Sequence, residues 1–305
     1  MSSRVFIYAA ILIVLWGSHS PVATLTMGSG GENPLSRHAL LFFKFLVGAA
    51  CLFLVIVLSG RLSLFRDYTW RRAARLVFAG AFGYFLYYFL LFWALERARP
   101  EDAVTEAIVI NYLFPMCTLL ASAAVIREKL TARGVVSAVV SFAGACVVVS
   151  KGDFTQLALR HPVVDLLALG AAVSWGIFSA LGRRWQHEPF TGMFIFLATG
   201  TVISGCIFPF TSGRHCPIGW EFYGVFHVGF LSSTLGGILW FLALKHGGAS
   251  LVGNLSLLAP FVSLVFIRLL LPDQTISSWA VAGLAVILLG VLLSHAAPPR
   301  QTQPL

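Results

Sequence analysis

Long apolar runs alternate with short polar breaks from one end of the chain to the other. A helix needs about 20 mostly apolar residues to cross a bilayer. Ten stretches meet that need: 5–27, 36–58, 74–95, 103–125, 132–150, 163–182, 190–210, 221–244, 249–271 and 276–296. Turn-forming residues fill the breaks, as in Pro100-Glu101-Asp102, Lys151-Gly152-Asp153, His187-Glu188-Pro189 and Pro272-Asp273-Gln274. The longest connection is about 15 residues, so no soluble domain fits between spans. The pattern predicts an all-α polytopic membrane protein with ten transmembrane helices. The first run, Val5 to Trp16, has the length of a signal-peptide core. It continues, however, past Gly17-Ser18-His19-Ser20-Pro21 into Val22 to Met27.

Composition supports the membrane reading. Of 305 residues 58% are hydrophobic and 11% charged, and the mean hydropathy is +0.86. Soluble domains keep about a quarter of their residues charged. The net charge of +9 does not point to nucleic acid, because the basic residues form short clusters between apolar runs rather than a patch. Lys and Arg collect on the cytoplasmic side of membrane proteins. With the N-terminus inside, 13 basic residues fall in inner segments and 6 in outer ones, which predicts that both termini are cytoplasmic. Cys51, Cys117, Cys146, Cys206 and Cys216 show no C-x-x-C or metal spacing. The sequence holds no Walker motif and no H-E-x-x-H, so no metal, cofactor or enzymatic activity is expected.

The two halves of the chain resemble each other. Leu15-Trp16-Gly17 matches Ser174-Trp175-Gly176, and Phe92-Trp93-Ala94-Leu95 matches Phe241-Leu242-Ala243-Leu244. Pro115 in the fourth span matches Pro260 in the ninth, and Gly144 matches Gly290. This divides the chain into copies at 1–150 and 163–297, a linker at 151–162 and a short cytoplasmic tail at 298–305. Five spans per copy is odd, so the second copy enters the membrane from the opposite side. Inverted repeats with a site at their interface are a secondary-transporter arrangement. The repeat also argues against cleavage of the first span, because its counterpart, the sixth, cannot be removed. The alternative is that duplication serves assembly alone.

Polar residues within spans are the candidate chemistry. A carboxylate at a helix centre costs roughly 2.5–3.5 kcal/mol on insertion scales, so Glu106 must find a cavity, a partner or the interface. Recognition of a substrate amine or a proton is one reading; reaching the outer water is the other. Asn111 and Tyr112 precede Pro115, which with Pro260 is a candidate hinge or kink where a proline frees backbone acceptors. Asn254 and Ser256 precede Pro260 in the same way. Lys44, within Phe42-Phe43-Lys44-Phe45, either meets a substrate carboxylate or Glu106, or snorkels to the outer surface. Trp16 and Trp175 recur at matching positions, as cavity walls or as packing beside glycine. Gly134, Ser137, Ser141, Gly144, Gly236, Gly237, Gly283 and Gly290 let helices approach closely. His19 and His227 lie within spans.

The Trp-Gly pairs, the two prolines and the Glu128-Lys129-Leu130-Thr131 turn resemble the drug/metabolite transporter superfamily, EamA type, with two EamA repeats covering nearly the whole chain. Glu106 followed by Asn111-Tyr112-Leu113-Phe114-Pro115 resembles the Asn-Tyr-Leu-Trp-Pro segment of bacterial aromatic amino acid exporters, with Phe114 in place of the Trp. Trp240 ahead of Lys245-His246-Gly247 is similar to that group, and Tyr87 fits its pattern in span three. A basic residue before Phe, as at Lys44, is frequent in EamA-type proteins. The resemblance implies a ten-helix fold around a central cavity in a bacterial inner (plasma) membrane, and export of amino acids or related small metabolites. The expected function is a secondary carrier working by alternating access, with a small-molecule substrate and the lipid bilayer as partners. A nucleotide-sugar or phosphate-ester exchanger would need two or more deep cations, where Lys44 is the one candidate. A non-transporting scaffold or sensor is the alternative from another class.

Overall fold

The computed structural model describes residues 4–28, 35–98, 101–211, 216–270 and 277–295. The turn at Pro272-Asp273-Gln274 and the tail 298–305 lie outside them. Among the described residues there are helices and no strands. The first copy holds α1 (Arg4–Gly28), α2 (Arg37–Leu58), α3 (Trp70–Ala79), α4 (Leu86–Arg97), α5 (Glu101–Asn111), α6 (Phe114–Ile126) and α7 (Ala132–Ser150). The second holds α8 (Pro162–Trp185), α9 (Pro189–Ile207), α10 (Trp220–Phe226), α11 (Gly236–Ser256), α12 (Ala259–Leu270) and α13 (Ser278–His295). Glu101 and Asp102, read from the sequence as a turn, open α5.

Among the described residues eight helical stretches are long and apolar enough to cross a membrane, and two shorter apolar helices, Ala259–Leu270 and Ser278–Ser294, follow them. The chain is an integral membrane protein. Besides Ser278–Ser294, which is shorter than a full span among the described residues, the difference from ten arises where two expected spans, 221–244 and 249–271, meet. There the helical stretch Trp220–Ser256 runs 37 residues without a loop. At 1.5 Å per residue that is about 55 Å, well beyond a hydrocarbon core of about 30 Å. Gly248, at φ 74 and ψ 170, breaks it into 220–247 and 249–256. That backbone conformation is essentially open to glycine alone, so one residue does the work expected of a polar loop.

Spans four and nine each break in the middle. In the first copy α5 ends at Asn111, the Leu113 N–H turns back to the Ile110 carbonyl, and α6 starts at Phe114. In the second, the Leu257 N–H reaches the Asn254 carbonyl, the Leu258 N–H reaches that of Leu255, and α12 starts at Ala259. Pro115 and Pro260 are therefore not kinks inside a continuous helix. They occupy the first turn of the following helix, where a missing N–H costs no bond.

Two π-helical segments, Gly80–Phe85 and His227–Leu235, fall at matching places in spans three and eight. Each packs against the other copy: the first on α8 and α9, the second on α1 and α2. Elsewhere the copies meet through small residues. A methyl group on Gly176 would sit 2.5 Å from the Cys117 backbone, and one on Gly144 would sit 2.7 Å from the Gly283 carbonyl. These close approaches join α6 to α8 and α7 to α13, the dispersion-driven packing expected in lipid. At the ends of α6 and α8, Arg183 donates to Glu128 Oε2, an ion pair between copies.

Candidate functional site

The breaks in spans four and nine face one another across a cavity of about 110 Å³. Trp16, His19 and Ser20 of α1, Tyr87, Tyr88 and Leu91 of α4, and Asn111, Tyr112 and Phe114 line it from the first copy. Trp175 of α8, Ser256 and Ala259 line it from the second. Asn111 and Ser256 stand at the same distance before their prolines, as do Phe114 and Ala259. The repeat thus delivers matched positions to one space.

One side of the cavity is closed by rings. Trp16, Phe114, Trp175 and Trp240 form a mutual cluster, with Trp16–Trp240 centroids 5.3 Å apart and Trp16–Trp175 edge-to-face at 5.5 Å. Edge-to-face pairs match the positive rim of one ring to the negative face of another. Trp240, the one member of the cluster outside the cavity lining, is fully buried, its Nε1–H donating to Ser179 Oγ at 2.9 Å. Both sequence readings of the Trp-Gly pairs hold together: Gly17 and Gly176 let α12 and α6 approach, and that approach brings Trp16 and Trp175 to the cavity.

Polar atoms without partners mark what the cavity can bind. Asn111 donates through Nδ2 to the Tyr87 hydroxyl at 3.4 Å, while its Oδ1 is buried and unpartnered. The Trp175 Nε1–H is also buried and unpartnered. Buried polar groups nearly always have partners, so an acceptor from one copy and a donor from the other await a polar ligand or water.

Four residues singled out from the sequence lie outside the cavity lining. Glu106 is 1% exposed and accepts the Arg160 N–H at 3.2 Å, with Asp165 of α8 beside it, so its carboxylate faces the linker and the start of α8. Asn254 turns the other way and donates to Ser137 Oγ at 2.9 Å, tying α11 to α7. Two residues on a helix are about 200° apart, so Asn254 cannot share a face with Ser256. Trp240 belongs to the ring cluster and is fully buried. Lys44 is 0% exposed, which rules out snorkelling; its Nζ lies over the Tyr88 ring, 2.9 Å from the centroid. Sequence reasoning passed over His19, Ser20, Tyr88, Leu91, Phe114 and Ala259 as lining residues. The Asn111-to-Pro115 match could have found Phe114 and, through the repeat, Ala259.

A larger cleft, about 740 Å³, opens at the end of α8, with Arg72, Arg75, Arg184, Asp67 and Glu188 among its lining. Burial lowers the His187 imidazole below its ordinary value there and raises the Tyr68 phenol. The cleft mixes both signs of charge on exposed helix ends and loops, and it draws on neither span break. The cavity at the repeat junction is the better candidate.

These features describe a polytopic membrane protein with a cavity between two internal copies. The chain matches the EamA-like transporter family over residues 4–150 and 163–295, and it belongs to that family of membrane transporters. It is 31% identical over 187 residues to the aromatic amino acid exporter YddG of Ancylobacter novellus, a match spanning 60% of this chain and 63% of that exporter. An uncharacterized transporter of Synechocystis sp. is 23% identical over 94% of this chain and 86% of its own length. A solved crystal structure superposes with a TM-score of 0.79 at 24% identity, covering 96% of this chain and 98% of the other, a likeness of fold.

Proposed function

We propose that this protein is a secondary carrier that exports amino acids or related small amphipathic metabolites by alternating access. In this reading ten spans form two inverted five-span copies, with Gly248 dividing spans eight and nine, and both termini are cytoplasmic in a bacterial inner membrane. The observation that carries it is the cavity built from matched positions of both copies, Asn111 with Ser256 and Phe114 with Ala259. A site between two inverted copies is the one place that rocking of the copies exposes to each face in turn.

The cavity's size supports the same reading. Ligand sites run to several hundred Å³, so about 110 Å³ holds an amino acid only after the walls part. With the N-terminus inside, His19 and Ser20 lie on the outer side of Trp16 and the ring cluster lies between cavity and cytoplasm. The conformation is then outward-facing with its inner gate shut. Apolar rings receive the side chain of the substrate, and Asn111 Oδ1 and Trp175 Nε1–H receive its polar end. The resemblance to an aromatic amino acid exporter favours an aromatic side chain.

The test is flux of radiolabelled amino acids in proteoliposomes against protein-free liposomes. Saturable flux of aromatic amino acids is expected. Absence of saturable flux for every amino acid in the panel overturns the proposal.

A further inference from the structure

We infer that Lys44 is a masked cation of the cavity: its ammonium is the counter-charge for a carboxylate-bearing substrate, and the Tyr88 ring is the lid that covers it between transport events. The inference rests on the carrier reading and names the substrate class that the cavity selects.

The position of Lys44 is pinned. A methyl group on Gly229 would lie 2.5 Å from the Lys44 carbonyl oxygen and 3.0 Å from its Cα, so α2 and the π segment touch backbone to backbone here. The side chain is fully buried. Its Nζ stands 2.9 Å from the Tyr88 ring centroid, 5.3 Å from that of Phe45 and 5.8 Å from that of Phe92. The Nζ makes no hydrogen bond, where an ammonium would carry three donors. The titratable groups beside it are His19 of α1 and Tyr88. Neither is a carboxylate, and among the described residues no ion pair is made by Lys44. Cation–π contact offsets part of the cost of burying the charge, but a lone buried ammonium lacks its usual anion.

That anion has a route in from the cavity. Tyr88 both covers Lys44 and lines the cavity, and His19, also in the lining, stacks on Tyr88 at 6.3 Å. The Tyr88 hydroxyl reaches Ser233 Oγ only at 3.4 Å, whereas Tyr84 holds the Ser233 carbonyl at 2.9 Å. The Tyr88 bond to Ser233 is the longer of the two. Swinging it aside places the ammonium in the cavity wall beside the ring cluster. A single cation suits a monoanion such as a carboxylate, where a phosphate ester would call for more than one.

Counterflow in proteoliposomes with three probes tests this: L-phenylalanine, 3-phenylpropionate, which keeps the carboxylate, and phenethylamine, which lacks it. Loss of a charged contact is worth about tenfold or more. Wild-type protein is expected to carry phenylalanine about tenfold faster than phenethylamine, from which it differs by the carboxylate alone. Lys44→Met brings those two rates together, and Lys44→Arg keeps most of the preference. Tyr88→Ala tightens 3-phenylpropionate binding with Lys44 in place and has no such effect in the Lys44→Met background. Equal wild-type rates for phenylalanine and phenethylamine overturn this inference and leave the carrier reading standing. No flux of any probe removes both. Should Lys44→Met fail to fold, thermal unfolding of the wild type decides. A stabilising shift with phenylalanine and 3-phenylpropionate but not with phenethylamine supports the inference, and equal shifts with all three, or none, overturn it.

Discussion

Spans four and nine share a backbone and differ in what they place around the cavity. Both break one residue or two before a proline-bearing helix, and both present the residues four and one before that proline. The first copy presents Asn111 and Phe114; the second presents Ser256 and Ala259. Spans three and eight repeat the contrast, since Tyr87 and Tyr88 correspond to Gly236 and Gly237 in the register set by Phe92 and Phe241. Duplication supplied a symmetric scaffold, and side chains then made it asymmetric. One copy carries the bulk and the hydrogen-bonding groups, and the other is small enough to leave room. Gly236 shows how little room remains, because a methyl group there would stand 2.7 Å from Trp16 Nε1.

The largest effect should come from removing the polar group on the bulky side. Asn111→Ala is expected to reduce amino acid flux in proteoliposomes between about tenfold and a hundredfold, the value of one or two buried hydrogen bonds to a charged group. Ser256→Ala should cost less than about threefold, because its hydroxyl already donates to the Gly253 carbonyl at 2.6 Å. Equal losses in the two variants would erase the asymmetry. A smaller effect follows from adding bulk to the small side. Ala259→Leu faces Phe114 across the cavity and should lower flux about tenfold through a raised KM, with the variant still monodisperse in detergent. Unchanged flux would place the substrate elsewhere.

The contrast reverses at one pair, and there the expected effect is smallest. Leu91 lines the cavity, whereas its counterpart Trp240 is buried outside the lining and bonded to Ser179. Trp240→Phe keeps a ring and loses one hydrogen bond, so it should lower stability by about 1 kcal/mol in thermal or denaturant unfolding. Its transport should stay within about twofold of the parent. A large loss of transport with unchanged stability would put Trp240 in the substrate path.

The sequence made the scaffold legible because its signals are local. Apolar run length marks the helices, and prolines at 115 and 260 mark the breaks. Helical phase was less well served: Asn254 and Ser256 look alike in a string, but two residues' separation sends them to opposite faces. Glu106 stood out as a charge in a span, yet its partner, the Arg160 N–H, lies 54 positions away in the linker. No local pattern announces such a contact. His19 was obscured by its neighbours, since Gly17-Ser18-His19-Ser20-Pro21 reads as a break, and α1 runs straight through it with Pro21 inside. The π segments carry no compositional mark and emerge from packing between copies. Gly248 was hidden for the opposite reason, because a single residue replaces a loop.

The account stands on a cavity between the copies that opens to each face in turn. The direct measurement is thiol accessibility at Ser256→Cys in a variant whose five native cysteines are replaced, using a membrane-impermeant reagent on sealed vesicles of known orientation. The account predicts labelling from the outer face at rest, labelling from the inner face during substrate turnover, and protection by bound substrate on both. Labelling from one face under every condition, or from neither, would contradict it.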